Sequence, residues 1–374
     1  HRMRAAAIEY FGHFDSDRAE GVAVGILRER ERHPNALALA AFSYLTRIKS
    51  RAALSVVDEV LADDERSYLQ AAIRLAAAAG ASDRAEAVAR VFENEATGSG
   101  LRIEALNALG TLKAPAAFEF LSRVLGDEAG SKVERMNAAR ALAALGDDRA
   151  VSGLTAASRS EDPNVRASAV EALGSFKGQA AASAVVAALR DSHQGVRAAA
   201  VKAAGGMKLA EAIPALEFRL KEDPDRAVRE AAIAALAAFD TAETWSTLVA
   251  FAEDDKQQQQ FRLRAFAAVI GDGPASARAS MRTLFAAMDT EKDRPAYLAF
   301  ARAALAVDKE GAADFALRLY SDKEFTSRLA AIAWAERNGH AAHLPELRRL
   351  AESDPTESVR RRAGTAVERI TQAR

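Results

Sequence analysis

The sequence contains no cysteine, which excludes a disulfide framework, a thiolate metal site and a thiol nucleophile, though it selects no compartment. Aromatic residues make up only 6% of the 374 positions, and there are 9 prolines and 21 glycines. Sparse aromatics and turn formers argue against strands anywhere. No uninterrupted apolar stretch approaches the roughly 20 residues a membrane-spanning helix requires, so the chain reads as soluble. A dominant charge is also missing: Lys+Arg number 51 and Asp+Glu 52. So balanced a chain exerts no general attraction on nucleic acid or an anionic membrane, which makes nucleic acid an unlikely partner.

What is present is alanine-rich and periodic. The apolar fraction is 49%, and at this length several domains or one elongated repeat array are the available plans. The decamer VRASAVEALG (165–174) returns as VRAAAVKAAG (196–205) and LRIEALNALG (101–110). Aligned on its last position, the copies end at residues 12, 46, 77, 110, 146, 174, 205, 237, 272, 306, 336 and 368, with spacings of 28 to 36. A period this steady over the whole chain is the signature of a solenoid.

Each decamer reads as the core of one helix, because Val165, Ala169, Ala172 and Leu173 share a face at helical spacing. A second apolar stripe precedes it, as in Ala19, Val22, Ala23, Ile26 and Leu27, or Ala182, Val185, Val186 and Leu189. Between the two lie EDPN (161–164), EDPD (222–225) and SDPT (353–356), where Pro ends one helix and Asp caps the next. Gly12, Gly110, Gly146, Gly174 and Gly205 are expected as stops after the second helix. Neither helix buries its stripe alone, so neighbouring pairs must stack into a continuous core.

The run Val-Arg, two residues, Ala, an apolar pair and Gly, preceded by Asp-Pro, resembles the HEAT repeat, especially the short bacterial form also found in phycobilin lyase subunits. The resemblance covers essentially all of the chain. It implies an all-α fold, a right-handed α-solenoid (armadillo-like superhelix) of about eleven to twelve stacked helix-turn-helix repeats, and it is nearly silent on function. Residues 1–374 are expected to form one continuous solenoid with a bend at 240–262, around EDDKQQQQF. The chain begins inside a repeat and so reads as part of a longer protein of the bacterial cytoplasm or periplasm.

Arg occupies the second decamer position in eight of twelve copies: Arg4, Arg102, Arg166, Arg197, Arg229, Arg264, Arg328 and Arg360. Ala138 replaces it in the copy ending at 146. Asp stands six residues earlier at Asp191, Asp223, Asp322 and Asp354. The HEAT resemblance implies that these form a structural ladder between repeats, pairing Asp191, Arg197, Asp223, Arg229, Asp322, Arg328, Asp354 and Arg360 along the stack.

Two sets of residues are candidates for binding a partner. Lys49, Lys113, Arg149, Lys177, Lys208 and Lys309 lie three residues after the aligned position and would form a basic ridge, either compensating helix dipoles or guiding an acidic protein. If the second helices line the concave surface, as the resemblance implies, Asn107, Glu171, Lys202 and Glu230 face into a shallow alanine-rich groove.

Catalytic signals are absent. The six histidines form neither an HExxH pair nor a His-Glu dyad, GHAAH (339–343) reads as a solvated turn, and GDG (271–273) is a turn rather than a phosphate loop. No cofactor or metal is expected. The reading that follows is a non-catalytic protein-interaction scaffold, its partner another protein or an upstream domain of the same chain. The alternative is an accessory C-terminal module of a larger enzyme, such as the HEAT-like regions of large metallopeptidases. A bilin lyase subunit, by resemblance alone, and a DNA-binding helical repeat rank lower.

Overall fold

The computed structural model describes residues 17–288, 294–307 and 312–372. Among them are 22 α-helices and no strand. The chain divides into two compact units, residues 1–207 and 208–374. In the first, helices alternate as α1 (Glu20–Arg28), α2 (Asn35–Arg47), α3 (Leu54–Ala62), α4 (Leu69–Ala78), α5 (Ala85–Glu93) and α6 (Ser99–Leu112). The series continues with α7 (Ala117–Gly126), α8 (Lys132–Leu145), α9 (Ala150–Ala157), α10 (Pro163–Leu173), α11 (Gln179–Ala188) and α12 (Gln194–Met207). The second unit runs α13 (Ile213–Glu222), α14 (Arg226–Phe239), α15 (Ala242–Glu253), α16 (Gln259–Asp272) and α17 (Ala275–Ala287). It ends with α18 (Arg294–Leu305), α19 (Ala313–Leu319), α20 (Phe325–Asn338), α21 (Leu344–Ser353) and α22 (Glu357–Gln372). Residues 240–262, expected as a bend, are α15 and the turn into α16, and both helices pack on each other as elsewhere.

Within each unit every even-numbered helix packs against its odd-numbered partner and against the next even-numbered helix, which makes two layers of a solenoid. Local chemistry sets the helix starts. Asp162 accepts from the backbone N–H of Asn164 (2.9 Å) and Val165 (3.2 Å) while Pro163 occupies the first turn of α10. Thr241 and Thr244 form a reciprocal capping box at α15. The predicted stripes are the buried faces: Val165, Ala169, Ala172 and Leu173 are all buried, as are Ala182, Val185 and Leu189. Val186 is only half-buried, and Val22 is 61% exposed because α1 turns Ala23, Val24, Ile26 and Leu27 inward instead.

The expected glycine stops divide: Gly146 and Gly174 stand at helix C-termini, whereas Gly110 and Gly205 lie inside helices. Gly110 lies inside α6, where an added Cβ would sit 2.7 Å from the Ala141 Cα of α8. At Gly174 it would sit 3.0 Å from the Ala203 Cβ of α12. These positions let the second helices approach backbone to backbone, so their requirement is steric. Gly205 is also interior to its helix, and Gly12 lies outside the described residues. Only Gly146, at φ 73°, is a left-handed cap.

The left-handed stop falls three residues after the aligned position. Lys49 (φ 54°), Gly80 (φ 63°), Lys113 (φ 51°), Lys208 (φ 53°), Asp240 (φ 55°) and Gly339 (φ 59°) all occupy it. Gly146 belongs to the same register once its repeat is aligned at 143 rather than 146. That shift also resolves the missing arginine. Arg135, not Ala138, holds the ladder position: it is buried and its Nε donates to the Leu125 carbonyl at 3.0 Å.

No helix among the described residues is long and apolar enough to cross a membrane.

Candidate protein-binding groove

The recurring arginines form hydrogen bonds in two directions. Several reach back to the carbonyls of the turn before their own helix: Arg166 to Ser160 (2.9 Å) and Glu161 (3.0 Å), Arg197 to Asp191 (3.0 Å) and Ser192 (2.9 Å), Arg360 to Asp354 (2.6 Å). Several also reach forward to the next repeat. Arg166 makes a two-point pair with Asp191 (2.9 and 3.0 Å), and Arg328 does the same with Asp354 (2.7 and 3.0 Å). The rung therefore runs from an arginine to the aspartate about 25 residues on, while the aspartate six residues before contributes its carbonyl.

The aspartates are held from below as well. Asp191, Asp223, Asp322 and Asp354 each accept the backbone N–H two residues later, at 2.8 to 2.9 Å. Burial opposes ionisation at Asp354, but the Arg328 guanidinium and the Thr356 N–H outweigh it and hold its carboxyl below the usual range. Arg102 finds Glu134 instead (2.7 and 3.1 Å). Arg229 finds the neutral Gln257 amide oxygen (2.8 Å) together with the Leu220 carbonyl (2.8 Å). Desolvation lowers the Arg229 pKa.

Arg264 does not join this set. It is exposed and lies 3.4 Å from Glu230, whereas Arg262, two residues earlier, donates to the Ala252 carbonyl at 2.9 Å in the ladder's manner. Arg4 lies outside the described residues.

The basic-ridge residues Lys113, Arg149, Lys177 and Lys208 are all exposed, as is Lys49, and Lys309 lies outside the described residues. Lys49, Lys113 and Lys208 share the left-handed cap register with glycines and an aspartate, so what recurs there is a backbone conformation and not a charge. Arg149 drops out of the register after realignment and pairs with Asp147 at 2.7 Å.

The concave-face candidates separate. Glu230 is half-buried and neutralised by Arg226 (2.8 Å) and Arg264 (3.4 Å). Asn107 is exposed on α6. Glu171 and Lys202 line one shallow groove of about 470 Å³ across α8, α10 and α12, together with Arg140. Small residues make its floor, among them Gly174, Gly195, Ala198, Ala199 and Gly206, with Met136 and Asn164 at its margin. Arg140 was hidden in the sequence by the three-residue misalignment of its repeat. Once Arg135 is placed on the ladder, Arg140, Glu171 and Lys202 occupy the same helical position in three successive repeats.

The buried histidine lies elsewhere, in the connection between α20 and α21. His343 is fully buried, contrary to the solvated turn expected, because its ring packs against Trp334 (centroids 5.6 Å) and shares a hydrogen bond between Nδ1 and the Tyr320 hydroxyl (2.9 Å). Burial first, and the neighbouring His340 second, push its pKa down to about 4. Trp334 donates from Nε1 to the Val307 carbonyl (2.9 Å), and Trp245 to Asp240 (2.8 Å). Both indoles are buried. No group of three or more metal-ligating side chains occurs among the described residues.

Paired helices, a ladder of arginines between repeats and a groove along the second layer define an α-solenoid repeat protein. The chain belongs to the spirochaete HEAT repeat protein family, whose model matches residues 1–369. Its fold is similar to that of Kap95p in complex with RanGDP, at 15% identity and a TM-score of 0.55 over 99% of this chain and 58% of that one. Importin beta is similar at 15% identity and a TM-score of 0.54, covering 99% and 59%. The CpcE–CpcF complex of phycocyanin lyase from Nostoc sp. PCC7120 is 21% identical over 76% of this chain and 94% of that one, with a TM-score of 0.39. At these identities the likeness establishes the fold alone. No curated protein matches the sequence.

Proposed function

We propose that the chain is a non-catalytic scaffold that holds another protein along the second-helix face of its first unit. The observation that carries this reading is the groove on α8, α10 and α12, where Arg140, Glu171 and Lys202 stand among glycines and alanines with no ion pair or hydrogen bond from any of their side chains. Charges with recurring structural duties are bonded into the ladder, as Arg166 and Asp191 are. The three groove charges serve no such duty, and their small-residue surroundings leave room for a second chain.

A photo-crosslinking residue placed at Ser175, exposed in the groove, is expected to capture a protein in the source cells. The same residue at Ser183, exposed on α11 in the other layer, is expected not to. Equal capture at both positions, or none at Ser175, refutes the assignment.

A further inference from the structure

The groove's charges specify more than a location. Arg140, Glu171 and Lys202 stand at one helical position on three successive second-layer helices, and α8, α10 and α12 pack directly on one another. Packed helices lie roughly 8 to 10 Å apart, so the groove presents positive, negative and positive charge at that interval. Elsewhere on this layer some charges are neutralised within the protein and others, such as Arg47, Arg302 and Arg361, are exposed singly. Arg74 and Gln70 both bind Glu104, at 2.7 and 3.2 Å. In two neighbouring grooves of the unit, Arg102 pairs with Glu134, Arg123 with Glu93 and Arg166 with Asp191, and Arg159 stands unpaired. Arg140, Glu171 and Lys202 are left open together.

The walls of the groove favour one kind of occupant. They are made of α-helices, whose backbone donors and acceptors are already bonded internally, so there is no sheet edge to satisfy an extended segment. A helix brings its own backbone bonds and needs only a smooth channel, which Gly174, Gly195, Ala198, Ala199 and Gly206 supply. A helix rises about 1.5 Å per residue, so one charge per 8 to 10 Å corresponds to about five to seven residues, and of these only a spacing of about seven, one heptad, returns each charge to the same face.

We infer that the groove takes a partner α-helix carrying an acidic, a basic and an acidic residue at successive heptad positions, opposite Arg140, Glu171 and Lys202. This rests on the scaffold reading above and adds the partner's class. The order of signs reads the same in both directions, so it selects spacing and leaves the direction of the helix free. The matched pairs are solvent-accessible, and their part is to choose among partners through attraction and like-charge repulsion.

The test uses the full chain and three alanine-based helical peptides labelled with a fluorophore, followed by anisotropy at low ionic strength. One carries Glu, Lys and Glu at heptad spacing, one carries Lys, Glu and Lys at the same places, and the third carries Glu, Lys and Glu at a spacing of three residues. The first is expected to bind about tenfold more tightly than the second, from three exposed pairs reversed in sign. The triple variant Arg140→Glu, Glu171→Lys, Lys202→Glu should invert that preference, and unchanged helical circular dichroism would confirm its fold. Tightest binding of the third peptide identifies an extended occupant and overturns the inference, as does equal binding or no binding. Capture at Ser175 in cells together with no peptide preference would retain the scaffold reading and discard the helix.

Discussion

Replacing Lys113 with glycine should make the first unit more stable, although it removes a charged residue from a helix terminus. Lys113 ends α6 with φ 51°, a left-handed conformation that costs an L-residue roughly 1–2 kcal/mol through the approach of Cβ to the backbone carbonyl. Glycine has no Cβ and avoids this cost. Against the gain stand about 0.5–1 kcal/mol for the greater freedom of glycine in the unfolded chain and about 0.3 kcal/mol for a lost cation near the helix dipole. The balance is a stabilisation of about 0.5 kcal/mol, and Lys49, at φ 54°, should respond alike. Gly146 supplies the reverse experiment. At φ 73° with no atom within 4 Å of an added Cβ, Gly146→Ala should cost about 1 kcal/mol from backbone strain alone. Urea titrations followed by circular dichroism at 222 nm, on Lys113→Gly, Lys49→Gly and their combination, would detect the sum. A drop in stability for the double variant would refute the argument, showing that the ammonium groups make contacts outweighing the strain.

The second unit holds both tryptophans of the chain, Trp245 and Trp334, so its unfolding is readable by fluorescence. Arg328→Ala removes the partner of a buried carboxylate and should destabilise it by about 3–5 kcal/mol; a loss under about 1 kcal/mol would mean that Asp354 is resolvated without cost. His343 titrates at about 4 in the folded chain and near 6.5 when unfolded. The unfolded state therefore binds its proton first as pH falls, and stability is intact above about pH 6.5 and lost progressively toward pH 4. The loss amounts to as much as about 3 kcal/mol, and His343→Leu should flatten that slope. An unchanged slope in the variant would place the titration in another group.

Repeat number, helix pairing and the buried stripes were legible because period and amphipathicity are one-dimensional signals, and the alanine content already implied close helix packing. The misplaced arginines share one cause: a repeat was aligned by its apparent last residue, while the structure aligns it by the residue that bonds the preceding turn. Gly146 resembles Gly110 and Gly174 in sequence, yet it performs the task of Lys113, Gly80 and Gly339, ending a helix in the left-handed region. Gly110 is instead required by the Ala141 backbone opposite it, and Gly174 leaves room for the Ala203 Cβ. A glycine can answer either to φ or to a neighbour, and composition does not say which. Resolving it moves Arg135 onto the ladder and Arg140 into the groove. The same ambiguity made Arg264 look structural when Arg262 is the residue that binds Ala252.

The ladder also shows why charge patterning alone does not separate structural charges from open ones. Evenly repeated arginines draw attention in a sequence, yet they are consumed by carbonyls and by carboxylates one repeat away. Gln257 performs the same task with no charge at all, so the rung requires an acceptor at that place and not an anion. The groove charges are the converse. Glu171 and Lys202 share a position already in the repeat pattern of the sequence, but Arg140 joins them only once its repeat is realigned, and their lack of partners shows only in the structure. A residue that repeats with the fold is held by the fold. Arg140, Glu171 and Lys202 share a position yet change sign from repeat to repeat and carry no bond of the ladder, so a substitution there leaves the rungs intact.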